Sequence, residues 1–119
     1  MEPLTLTPKL WRVMSLCWRV AAAKPSFEVR DVLAETDPDW PVNHRTIGAH
    51  MTELVRRGWL TVDSGPGGHG LGSLYVVKVP KAEGCEAYAA TLLDPLEGDQ
   101  DLLAALVRLA KQRLTGAPS

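Results

Sequence analysis

The chain has 119 residues, is 45% apolar and 23% charged, and carries a formal net charge of −1, which suits one domain with room for a helical extension. No apolar run reaches the length of a membrane helix, and the N-terminus lacks the basic-then-apolar pattern of a signal peptide, so a cytoplasmic, membrane-free protein is expected. The near-neutral total excludes a generally basic nucleic-acid coat, and any such function must rest on local charge.

In chain order, Thr7 followed by Pro8 reads as a helix start. The hydroxyl caps the helix, and proline stands at the first turn, where its missing N–H costs nothing. Leu10, Val13, Met14, Cys17 and Val20 continue an apolar stripe to about Ala22, and Lys24-Pro25-Ser26 ends it. Residues 27–29 read as a very short strand. Val29, Val32 and Leu33 then define a second helix of about two turns, ending near Thr36. Two prolines within Asp37-Pro38-Asp39-Trp40-Pro41 make that stretch a turn.

Asn43 is an N-cap for a third helix running to Arg57. Ile47, Met51, Leu54 and Val55 fall at i, i+4, i+7 and i+8, one apolar stripe. Arg56 and Arg57 occupy the last turn, where cations suit the helix dipole, and Gly58 stands at the left-handed stop. Residues 59–62 and 73–79 are strand-like, and Asp63 to Gly72 between them holds five glycines and one proline, a hairpin tip. Beyond it, residues 86–93 read as a short helix, broken by Asp94-Pro95 and Gly98. Asp99 caps a final helix whose wide apolar face carries Leu102, Leu103, Leu106, Val107, Ala110 and Leu114. In a chain this small such a face packs on its own domain or on a second copy, and pairing is the expectation here.

Residues 43–58 hold three Arg against one Glu, so positive charge gathers on the third helix. Cys17 lies on an apolar face and reads as a small buried hydrophobe, and His44, His50 and His69 form no metal spacing with Cys17 or Cys85; no metal or other cofactor is expected. The four tryptophans read as core or interface. GPGGHG lacks the lysine and following helix of a phosphate loop, and no serine–histidine–carboxylate grouping is apparent, so an enzyme is not expected.

The order helix, helix, turn, helix, hairpin, helices resembles the penicillinase-repressor family of bacterial transcription regulators over nearly the whole chain. LTPKLWRVMSLCW is similar to that family's opening signature, ending in Trp18. FEVRDVLAE is similar to its short strand and second helix, RTIGAHMTELVRRGWL to its recognition helix with the glycine stop, and SLYVV to its returning wing strand. The resemblance implies a mainly α fold with a small β-hairpin wing. Residues 1–80 would be a winged helix-turn-helix domain on double-stranded DNA, and residues 81–119 C-terminal helices that form a homodimer. It places Asn43, Arg45 and Thr46 at base edges or phosphates, and Arg56 and Arg57 at the basic end of the helix. From the residues alone, His44 and His50 read first as surface or partly buried spacers, with a weak, pH-dependent contact as the alternative. Ala49, like Gly48, stands where the family often has a polar residue, and Gly48 reads equally as a point of close approach to a backbone or as drift that costs about 1 kcal/mol relative to alanine.

The chain departs from the family at Leu10, where a glutamate is usual, and at Glu53, which stands in place of a basic residue and is expected to repel a phosphate. Its wing carries no Lys or Arg between Leu60 and Lys78. The cysteine cluster of the copper-responsive branch is absent, and no inactivating protease or sensor can be named from the sequence. The function expected is a dimeric repressor that occludes a pseudo-palindromic operator. The rival, motivated by the acidic balance, Glu53 and the uncharged wing, is a winged-helix module that binds protein without DNA.

Overall fold

The structure is a computed structural model that describes residues 6–63 and 73–116. It runs α1 (Pro8–Ala21), β1 (Ser26–Phe27), α2 (Val29–Leu33), α3 (His44–Arg56), β2 (Leu60–Asp63), β3 (Leu74–Val77), α4 (Lys81–Leu93), a 3-10 turn at Asp94–Leu96, and α5 (Gln100–Thr115). The chain is mainly helical with one small antiparallel sheet, in the order β1-β3-β2. The glycine-rich tip and His69 lie outside the described residues. No described helix is long and apolar enough to cross a membrane.

Local chemistry sets the helix ends. Thr7 Oγ1 accepts the Leu10 N–H at 3.2 Å, with Pro8 in the first turn. At the start of α2, Asp31 Oδ2 accepts the Glu28 N–H at 2.8 Å and the Lys24 ammonium at 2.9 Å, which together hold its carboxyl below the usual carboxylate range. The second helix is shorter than its apolar pattern predicts. After Leu33 the winding tightens, with Glu35 N–H donating to Val32 O and Thr36 N–H to Leu33 O, so the final turn is a 3-10-like continuation.

Asn43 Oδ1 accepts the Thr46 N–H at 2.9 Å and caps α3. The other end closes as a Schellman motif: Trp59 N–H donates to Leu54 O, Gly58 N–H to Val55 O, and Gly58 sits at φ 85°. That left-handed residue turns the chain from α3 directly into β2.

β3 is the central strand. It pairs Tyr75 with both Phe27 and Val62, and Val76 with both Ser26 and Thr61. The alternation of the strands turns Phe27, Leu60 and Tyr75 inward and leaves Thr61 and Val76 exposed. The inward residues meet the apolar stripes of the helices. Val13, Met14 and Cys17 of α1, Val32 of α2, and Ile47, Met51 and Leu54 of α3 are completely buried, together with Phe27 and Trp59. Each such aliphatic or Phe side chain contributes roughly 1.5–3 kcal/mol. Burial pushes the Cys17 thiol up to about 12, so it stays neutral, while Cys85 is exposed.

One correction concerns α4. It begins at Lys81, immediately after Pro80, five positions before the start read from the sequence. Gly84 lowers helix propensity there by about 1 kcal/mol relative to alanine. Tertiary packing offsets this: Gly84 is buried against the indoles of Trp18 and Trp59. Around that contact the rings of Trp11, Trp18 and Trp59 meet edge to face, with centroids 5.3 to 6.4 Å apart. Tyr88 of α4 stacks on Trp11 at 4.4 Å. Trp18 Nε1 donates to Val79 O at 2.9 Å, whereas the buried Trp59 Nε1 has no partner among the described residues.

Candidate nucleic-acid interface

Two faces of α3 have opposite characters. Ile47, Met51 and Leu54 anchor one face in the core. Arg45, Ala49, Thr52 and Arg56, at i, i+4, i+7 and i+11, form an exposed stripe on the other. Asn43 and His44 are also exposed at the N-terminal end, and Thr46 is half-buried. The structure therefore leaves Asn43, His44, Arg45, Ala49 and Arg56 exposed, with Arg45, Ala49 and Arg56 in one stripe and Asn43 and His44 at its N-terminal end. Thr52 belongs to the same stripe and was missed in the sequence. Counting two helical turns on from Arg45, or one from Ala49, would have found it.

The residues differ in what they leave available. Asn43 commits its carbonyl oxygen to the cap, which leaves the amide N–H groups as donors at the helix end. Arg45 is exposed and makes no ion pair or side-chain hydrogen bond to any described residue. A bare guanidinium near a helix N-terminus can donate two parallel hydrogen bonds to a planar acceptor pair. Thr46 gives its backbone N–H to Asn43. Gly48 faces α2 instead of the exposed stripe, and a Cβ there would meet Val29 at 3.8 Å, ordinary contact. That contact leaves room for a methyl group, so the packing of α3 on α2 does not by itself require a glycine at position 48.

Arg56 and Arg57 are not simple cations. Glu53 accepts from both, with Arg56 Nε at 2.9 Å from Oε2 and Arg57 Nε at 2.9 Å from Oε1; Arg56 also bridges Glu53 through Nη2. The hydrogen bonds from Arg56 and then Arg57 hold the Glu53 carboxyl down to about 2. Glu53 thus acts on its own helix: it organises the two arginines and offsets one of their two charges.

Of β2 and β3, Thr61, Val62, Asp63 and Val76 are exposed, one acidic and none basic, and the exposed Lys78 stands just beyond β3 at the base of the hairpin, where its backbone N–H donates to Trp59 O. Among the described residues no group of three or more His, Cys, Asp or Glu is placed to hold a metal ion.

At the far end of the chain, α5 is capped by Asp99 Oδ1, which accepts the Leu102 N–H at 3.1 Å, and it closes at Gly116 in the left-handed region. None of its residues is buried. Leu102, Leu106, Val107 and Ala110 are exposed, and Leu103 is half-buried. Val107 is 54% exposed, a high figure for a residue on a four-turn apolar face. No protein-family profile, curated protein or solved structure matches the chain.

Proposed function

We propose that the protein is a sequence-specific regulator that binds double-stranded DNA as a dimer and represses by occluding its operator. The observation that carries this reading is α3. It is clamped in the core on one side and exposes a stripe headed by Arg45, unpaired among the described residues, on the other, with an antiparallel hairpin directly after its glycine stop. That arrangement agrees with a winged helix-turn-helix, in which such a helix enters the major groove and its first residues reach base edges. Asn43, His44, Arg45, Thr46, Ala49 and Thr52 would form the reading surface, and Arg56 and Arg57 the phosphate end. The penicillinase-repressor resemblance of the sequence supports the same reading.

The apolar face of α5, through Leu102, Leu103, Leu106, Val107 and Ala110, would be covered by a second copy. Two copies would place two reading helices on one face of the duplex, about one helical turn or a multiple apart. The test is selection from a random duplex library at two salt concentrations. Enrichment of a spaced inverted repeat is expected, with affinity falling as salt rises.

A second reading has its own observation. Glu53 engages both arginines at the end of α3, and neither β2 nor β3 exposes a cation. Both features suit a winged-helix module that binds protein. On that reading the selection yields no enriched sequence at either salt.

A further inference from the structure

We propose that Gly84 sets the spacing between the two DNA-reading helices of the dimer, by letting α4 seat directly on Trp18 and Trp59. This inference rests on the dimeric DNA-binding reading above. It concerns a different part of the molecule, the joint between the reading module and the arm formed by α4 and α5.

The joint is tight at one point. An ideal Cβ on Gly84 would lie 2.7 Å from Trp18 Cζ2, 2.7 Å from Trp59 Cζ3 and 2.8 Å from Trp18 Cη2. These atoms cannot yield as the tip of a flexible side chain would. Trp18 is tethered by its indole N–H to Val79 O, in the segment that leads into α4. Trp59 is completely buried, follows the left-handed Gly58, and meets both Trp11 and Trp18 edge to face. Tyr88, one helical turn beyond Gly84, stacks on Trp11 with the rings 7° from parallel. Two successive turns of α4 are therefore held on a platform built from α1 and the α3–β2 junction.

The consequence follows from lever geometry. α5 has no buried residue of its own, so the direction in which the arm leaves the module is set upstream of it. If second copies pair through α5, the angle fixed at Gly84 sets how far apart the two α3 helices stand. Half-site spacing in a dimeric helix-turn-helix protein is a geometric quantity of this kind. A side chain at position 84 would push α4 off its platform without touching α3 or the apolar face of α5.

The experiment uses the full chain carrying Cys85→Ser and Thr52→Cys, so that the exposed residue 52 of each α3 takes one spin label while Cys17 remains buried. The distance between labels in the DNA-free dimer is measured for this protein, for the same protein with Gly84→Leu, and for it with Tyr88→Ala, which removes the stack and inserts nothing. In parallel, Gly84→Leu and Tyr88→Ala without the label are selected on duplexes whose half-site spacing varies. The expected result is a single narrow distance for Gly84 that shifts or broadens in a variant that still sediments as a dimer, with the accepted spacing widening from one value to several. If Gly84→Leu fails to fold, Tyr88→Ala carries the decision. An unchanged distance and spacing in a folded variant overturns the proposal, as does a folded monomer. A distance that broadens while the unsubstituted protein selects no duplex supports the joint and counts against the DNA reading alone.

Discussion

At the residue scale, Arg45 and Glu53 make opposite demands on the same helix. Arg45 stands exposed at the N-terminal end, with no ion pair or side-chain hydrogen bond to a described residue. A bidentate contact from such a side chain to a guanine edge supplies about 1–3 kcal/mol of discrimination. Arg45→Ala is expected to lower sequence preference by that amount while leaving non-specific binding nearly intact, measured by competition between the selected duplex and a scrambled one.

Glu53 holds Arg56 and Arg57, and removing its carboxylate takes away an acceptor that both share. Glu53→Gln is expected to strengthen binding to all duplexes and to steepen its salt dependence. The same substitution has a pH signature. The folded carboxyl titrates at about 2, below its ordinary value of 4.5. Its stabilising contribution is therefore complete above 4.5 and is lost as pH falls through about 2. The stability difference between wild type and Glu53→Gln, followed by denaturant unfolding, should shrink across that window and be constant above it.

At the scale of the element, the N-cap of α3 serves two ends. Asn43 caps through its oxygen and retains an amide donor beside the exposed stripe of α3. Asn43→Ser keeps a capping oxygen and removes the amide, so helix stability should change by only a few tenths of a kcal/mol. Duplex affinity should fall nonetheless. Equal losses in thermal stability and binding would assign Asn43 to capping alone.

At the scale of the whole molecule, the chain is elongated, 55 × 36 × 23 Å. The stripes of α1, α2 and α3 close on the sheet, whereas α5 ends with Leu102, Leu106, Val107 and Leu109 all exposed. Apolar area left in water forgoes about 25 cal/mol per Å² of burial, which is what pairing would recover. Leu106→Asp places a carboxylate in the middle of that face, where desolvating it is costly. Sedimentation should show a dimer for wild type and a monomer for the variant. A Leu106→Asp protein that still sediments as a dimer would remove the α5 face from the interface.

The sequence by itself determined those features that depend on neighbours in the chain. Thr7, Pro8, Asn43, Gly58 and Asp99 mark helix ends because caps and left-handed stops are satisfied within a few residues, and the structure places each where its chemistry predicts. The period of Ile47, Met51 and Leu54 likewise assigns the inner face of α3, since a helix has one spacing at which side chains align. Tertiary structure decided what depends on residues far apart. Gly84 weakens a helix when only its neighbours are considered. It belongs inside one because Trp18 and Trp59, 66 and 25 positions away, leave no space for a Cβ. What Gly48 faces was likewise set by the fold, with Val29 of α2 opposite it. Glu53 is the local case: it lies three and four positions before Arg56 and Arg57, a helical spacing, so its grip on both follows once α3 forms and needs no distant residue.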